Sequence, residues 1–239
     1  MWRMNYTIVA NLYRLPKILE MMHRIADRPD LYSEQESYDY VRYVISLMQK
    51  TGWIKTEAFG TENLPEEGGY VLYPNHQGKY DAYSIAAVHE KALTVVMDRE
   101  MSYPPLVDEI IRVLRGKRLD ITSARHAMEV INEIASEVSE GRRHIIFPEG
   151  AYSPEKKHQL WDFKPGCFKT ATKAKAPIVP VALIDSYKPY NSWTITPVKT
   201  QVHFLKPLYP EEYEGMSTFQ IAAIVKERIQ EKLIELGRA

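Results

Sequence analysis

The sequence predicts an α/β architecture: a largely parallel central sheet flanked by helices and preceded by an N-terminal helical pair. Three observations lead there. Strand-like and helix-like runs alternate from residue 53 onward, an order that builds a parallel sheet with helices over both faces. The run "PIVPVALI" at 177–184 reads as a buried strand. The first 52 residues carry helical patterning and no strand. The expected division is 1–52, an amphipathic helical pair that associates with membranes, and 53–239, the α/β domain.

Residues 1–28 form the first helix of the pair. Pro16 is expected to bend or split it, because proline has no N–H to donate. The segment is apolar and aromatic, with Trp2, Met4, Tyr6, Ile8, Val9, Leu12 and Tyr13. It is also basic, with Arg3, Arg14, Lys17, Arg24 and Arg28 against only Glu20 and Asp27. That composition suits the interface of an anionic membrane. The same residues also fit a helix packed on the protein body, or a dimer contact. A capping box of Ser33 and Glu36 opens the second helix, and Gly52 is its expected stop. Tyr40, Val44, Leu47 and Met48 give its apolar stripe.

Further strands are expected at 53–59, 69–74, 92–97, 117–121, 143–147, 177–184 and 198–205. Helices are expected at 80–91, 104–114, 124–139, 166–175 and 217–236. Helix 124–139 is the clearest, since Ala127, Val130, Ile131, Ile134, Ala135 and Val138 recur at helical spacing. Ser217 and Gln220 cap the last helix, and Gly237 stops it.

Composition narrows the function classes. Of 239 residues, 45% are hydrophobic and 26% charged, as in ordinary globular proteins. Lys plus Arg equals Asp plus Glu at 31 each, so net charge gives no argument for a nucleic-acid partner. The single cysteine, Cys167, excludes an intramolecular disulfide and a cysteine-based zinc site, and fits a reducing cytoplasm. Beside Gly166 and Phe168 it reads as a packing residue. No apolar run reaches the roughly 18 residues of a membrane-spanning helix. No signal peptide is expected from the first residues.

Ligands in open α/β sheets collect at the carboxyl ends of the strands. Three polar clusters fall there: His76 to Asp81, Phe147 to Gly150, and the region of Lys164 and Gly166. Histidine can take a proton from an alcohol near neutral pH, and a carboxylate can fix its tautomer and stabilise the imidazolium. Asp81, in the first turn of the following helix, has the spacing to do this for His76, with Gly78 permitting the turn. The bland reading is a surface histidine and a helix-capping aspartate. There is no Gly-x-Ser-x-Gly, P-loop, Gly-x-Gly-x-x-Gly or His-x-x-x-His. A base without a built-in nucleophile implies direct attack by a substrate hydroxyl.

The clusters together resemble a known family. "NHQGKYD" (Asn75 to Asp81), "FPEGAYS" (Phe147 to Ser153), "FKPGCF" from Phe163 and Val179-Pro180-Val181 are similar, in order, to the motifs of the glycerolipid acyltransferases of the lysophosphatidate acyltransferase (PlsC) type. The resemblance runs from about residue 53 to about 205. It implies transfer of a fatty acyl group from acyl carrier protein or coenzyme A to the free hydroxyl of a lysolipid. It implies His76 as general base and Asp81 as its partner. The acceptor headgroup would then be bound by Glu149 and Gly150, with Lys79, Tyr152, Ser153 and Lys164 as further contacts. No cofactor or metal is implied beyond the thioester co-substrate. Membrane contact through residues 1–50 places the protein on the cytoplasmic face of the cell membrane, peripheral or monotopic.

Two departures stand out. Ile121 in "RLDITSAR" and Tyr152 in "EGAYS" occupy positions where the family carries arginines associated with the acceptor's phosphate. Neither side chain can copy the bidentate fork of arginine. One reading is an acceptor other than lysophosphatidate, with a substituted phosphate, a sugar or an amino acid. The other is that Lys79, Lys117, Arg118 or Lys164 restores phosphate binding. Arg125 lies opposite the apolar stripe of its helix and is expected in solvent. A catalytically silent lipid- or acyl-carrier-binding protein on the same fold, and a hydrolase passing the acyl group to water, are the alternative functions.

Overall fold

The computed structural model describes residues 2–153, 155–193 and 196–238. Three helices open it: α1 (Trp2–Ala10), α2 (Leu15–Asp27) and α3 (Glu34–Gly52). The expected pair is therefore a trio. The break falls at residues 11–14, which leaves Pro16 in the first turn of α2, where a missing N–H costs no helical bond. The Ser33–Glu36 capping box forms as its spacing requires. Gly52 serves differently from the expected stop. It is the last helical residue, Trp53 takes the left-handed conformation after it (φ 51°), and a Cβ on Gly52 would lie 2.9 Å from Thr7 Cγ2. The glycine lets α1 approach the end of α3.

Arg3 corrects one detail of the basic N-terminus. It is buried rather than facing outward, and its guanidinium donates to the carbonyls of Gly52 and Thr196. It fastens α1 to the body. No helix among the described residues is long and apolar enough to cross a membrane.

The rest alternates strand and helix. The order is β1 (Ile54–Phe59), β2 (Tyr70–Pro74), α4 (Asp81–Val88), β3 (Thr94–Asp98), α5 (Val107–Val113), β4 (Lys117–Leu119), α6 (Ala124–Ser139), β5 (Arg143–Ile145), α7 (Lys169–Ala174), β6 (Ile178–Ile184), α8 (Lys188–Asn191), β7 (Val198–Phe204), α9 (Pro210–Tyr213) and α10 (Thr218–Glu235). The seven strands form one sheet in the order β1-β7-β6-β2-β5-β3-β4. Every neighbouring pair is parallel except β6 with β7. This is the largely parallel α/β sheet that the alternation predicted. Expected helix 166–175 begins as a 3₁₀ turn over Pro165–Phe168, and α8 and α9 are short helices that the periodicity does not signal.

The pleat sorts each strand's side chains onto two faces. Tyr70 and Leu72 of β2 and Val179, Val181 and Leu183 of β6 share one core with Met22, Ile25, Tyr38, Val41 and Ile45 of α2 and α3. Val71 and Tyr73 of β2 and Ile178, Ala182 and Ile184 of β6 share the other with residues of α6, α7 and α10. Both faces are dry, so β2 is buried at all five positions. Leu72→Ala would cost about 2–5 kcal/mol. The N-terminal helices pack into the first core, and β2 runs through the middle of the sheet, delivering its carboxyl end to a rigid place.

Candidate active site

Beyond Pro74 the β2 chain leaves the ladder but not the sheet. Asn75, fully buried, accepts from Leu183 N at 2.7 Å and donates to Leu183 O at 3.2 Å. Its amide imitates one more strand residue beside β6 and holds the following turn. Gln77, also buried, accepts from Ser186 N and Oγ at 3.0 and 2.9 Å. The turn is thus tied on its β6 side at two points.

Between these anchors stands His76. Its Nδ1 lies 2.7 Å from Asp81 Oδ2. The same oxygen accepts from the backbone N–H of Gln77 (2.5 Å) and Gly78 (2.9 Å). An oxygen that collects two N–H donors acts as an acceptor, so Nδ1 carries the ring proton. Nε2 is then the basic nitrogen, and it has no hydrogen-bond partner among the described residues. Asp81 begins α4 and is 1% exposed, where the helix N-terminus favours negative charge. The His76 side chain is 18% exposed, so the base reaches solvent while its partner does not.

Gly78 is needed for space, not for a left-handed turn. Its φ is outside the positive range, but a Cβ there would lie 2.4 Å from Asn191 Oδ1 and 3.1 Å from Tyr187 Cα. Asn191, at the end of α8, accepts from Lys79 N at 3.0 Å.

The second cluster closes over the first. Phe147 stacks on the His76 ring at 4.1 Å, and Tyr152 lies tilted over it at 4.7 Å. The imidazole is held between two aromatic rings. Burial pushes the Tyr152 phenol up. Glu149 accepts from His76 N at 2.7 Å and from Trp161 N at 2.9 Å. Burial raises its carboxyl above the usual range, against the pull of those two N–H groups. Gly150 is left-handed (φ 71°), and a Cβ there would lie 2.5 Å from Lys164 Nζ. The expected binding residues Glu149, Gly150, Tyr152, Ser153 and Lys164 therefore sit on one loop system next to His76, and Lys79 lies in the His76–Asp81 turn itself.

Two other candidate cations are elsewhere. Lys117 pairs with Glu133 and Glu137, and Arg118 with Asp108 at 2.6 Å. Neither is available to a phosphate at His76. Arg125 is in solvent, paired with Glu129. The thiol of Cys167 donates to Lys164 O and burial pushes it far up, which suits packing and not nucleophilic attack. Asn75, Gln77, Phe147, Trp161 and Asn191 carry the site without having been singled out from the sequence. Asn75, Gln77 and Phe147 had a signal, as members of the quoted motifs.

Comparison with known proteins follows the same residues. A family model described as Acyltransferase matches residues 55–184. The 1-acyl-sn-glycerol-3-phosphate acyltransferase of Saccharomyces cerevisiae is 24% identical over 192 residues, 77% of this chain and 61% of that protein. The enzyme of the same name from Pseudomonas aeruginosa is 27% identical over 74% of this chain and 68% of its own length. This chain thus spans less than two thirds of the yeast protein. The crystal structure of PlsC, the 1-acyl-sn-glycerophosphate (LPA) acyltransferase of Thermotoga maritima, superposes with a TM-score of 0.72 at 23% identity, over 98% of this chain and 97% of that one. That likeness is one of fold. The matched segment covers more than half of the 239 residues and contains His76, Asp81 and Glu149, and the chain belongs to the acyltransferase family.

Proposed function

We propose that this protein transfers a fatty acyl group from a thioester, acyl-carrier-protein-bound or coenzyme-A-bound, to the free hydroxyl of a lysoglycerolipid. The observation that carries the reading is the polarity of the His76 ring. Nδ1 is locked to Asp81 and Nε2 is left open. Nε2 takes the proton of the acceptor hydroxyl as its oxygen attacks the thioester carbonyl carbon. Asp81, already accepting three N–H groups on one oxygen, stabilises the imidazolium without becoming protonated. As the tetrahedral intermediate collapses, the C–S bond breaks and the imidazolium returns its proton to the leaving thiolate. No enzyme nucleophile is involved, so no acyl-enzyme forms.

The acceptor carries something other than a bare phosphomonoester. Tyr152 lies over His76 where the family's pattern has arginine, and Ile121 is an exposed apolar side chain where the pattern has the other. An uncharged phenol over the His76 ring suits a sugar, an amino acid or a substituted phosphate. Of the candidate cations, Lys164 lies against Gly150 and Lys79 in the turn after His76.

The enzyme works at a membrane surface on the cytoplasmic face. Val9, Leu12 and Tyr13 are exposed on the N-terminal helices. Beside them a groove of about 220 Å³ is lined by Tyr13, Arg14, Lys17, Ile18, Tyr40 and Tyr43. Aromatic rings and cations together match the interface of an anionic bilayer.

The test is a panel of lysolipids offered with each thioester donor, read by mass analysis of the lipid product. Acylated product from a substituted, sugar-bearing or amino-acid-bearing lysolipid is expected. A clear preference for lysophosphatidate overturns the acceptor assignment. Free fatty acid without acylated lipid overturns transfer itself.

A further inference from the structure

We propose that Glu149 is a positioning residue that acts through His76, and not a ligand of the acceptor headgroup. The inference deepens the proposed function and rests on His76 being the base. Both oxygens of the Glu149 carboxylate are already engaged. One takes the backbone N–H of His76 itself at 2.7 Å, and the other takes that of Trp161 at 2.9 Å. The residue is 4% exposed, so a headgroup could reach it only by displacing one of these donors. Buried backbone N–H groups left without an acceptor are costly, which makes that displacement unfavourable.

What the carboxylate joins explains its use. Glu149 lies just past β5, whose continuation is fixed to β2 by Ile146 N donating to Leu72 O at 3.0 Å. From that fixed base one oxygen holds the turn that bears the imidazole. The other oxygen holds Trp161, where the loop that leaves at left-handed Gly150 returns to the body. Tyr152, which covers the His76 ring, is on that loop. A single side chain therefore sets both the height of the imidazole and the position of its aromatic cover. Burial raises the Glu149 carboxyl against the pull of its two N–H donors, as expected of a group screened from water.

The consequence is kinetic. Misplacing a catalytic group by about 1 Å can cost about 100-fold in rate. Glu149→Gln keeps the shape but sets an amide N–H against one of the two backbone donors. It should lower kcat by roughly 10- to 100-fold, with the KM for each lysolipid of the panel within about twofold of wild type. Amide hydrogen exchange of the same variant should show His76 and Trp161 N–H losing protection together. A rise in acceptor KM at unchanged kcat would make Glu149 a headgroup ligand and overturn the proposal. The wild-type protein gives a check that needs no variant: exchange of Trp161 N–H as fast as an open loop amide would also overturn it. The two readings fail separately. If His76 is not the base, His76→Ala retains transfer, while the loss of amide protection in Glu149→Gln still follows from the clip.

Discussion

Two of the histidine–carboxylate pairs among the described residues stand at opposite ends of one sheet, and they differ in what they leave open. His76 and Asp81 stand past the carboxyl end of β2. His144, within β5, lies beside Val71 near the start of β2, with its Nε2 3.0 Å from Glu137 Oε2. The second pair is closed. His144 is wholly buried, and Glu137 also holds Lys117 at 2.6 Å and Arg142 at 2.8 Å. Burial alone would raise Glu137, but the neighbouring His144 and the charges of Lys117 and Arg142 bring it down to about 2. Burial lowers His144 against the pull of Glu137. The first pair leaves one imidazole nitrogen open at the end of the sheet where ligands collect. What separates the two is access: the His76 side chain reaches solvent and the His144 side chain does not.

The sharpest way to break the comparison is to remove each partner in turn. Asp81→Asn replaces an acceptor of three N–H groups with an amide that presents the wrong tautomer partner to His76. By analogy with other dyads and triads, kcat should fall by about 10³- to 10⁴-fold in steady-state assays of acyl transfer, with thermal unfolding still cooperative. His76→Ala should lose at least as much. A loss below about tenfold in both would reduce the first pair to a structural contact like the second.

Acid sensitivity should come from the closed histidines. His89, buried against Tyr70, is pushed down to about 4 by burial. Between pH 4 and 6.5 the unfolded chain binds the proton that folded His89 refuses. Stability from this group is therefore complete above pH 6.5 and lost as pH falls toward 4, by about 3 kcal/mol. His144, also lowered, adds in the same direction. Denaturant unfolding across this window measures the slope, and a flat profile would contradict it. At neutral pH His144→Ala should cost about 2 kcal/mol, a drop of roughly 4–8 °C in Tm, with kcat within about threefold of wild type. A catalytic defect larger than the stability loss explains would erase the distinction between the pairs.

The smallest effect concerns specificity. Tyr152→Arg restores the charge that the family's pattern carries over the base. It should shift the ratio of kcat/KM for lysophosphatidate over a neutral-headgroup lysolipid by about tenfold. An unchanged ratio would place the headgroup away from Tyr152.

The sequence made much of this legible where local chemistry decides. Helical spacing located α6, and the caps Ser33–Glu36 and Ser217–Gln220 formed as written. The five-residue separation of His76 and Asp81 was enough to propose their contact. What stayed hidden depends on residues far apart in the chain. The antiparallel run of β7 against β6 is not encoded in the periodicity of either strand. Asn75 meets Leu183 across 108 residues, and Glu149 meets His76 across 73. The reason for Gly78 is the neighbouring Asn191, which no local rule reveals. Lys117 and Arg118 looked like free cations beside a site only until the fold placed carboxylates next to them.

The central claim is direct transfer from thioester to alcohol under the control of the open nitrogen of His76. It is tested by mixing the enzyme with a stoichiometric amount of radiolabelled acyl thioester, with and without lysolipid, and following intact-protein mass and labelled lipid through a single turnover. The account predicts labelled lipid only when both acceptor and His76 are present, and no acylated protein at any time. Acylated protein that forms and decays at the turnover rate would contradict it.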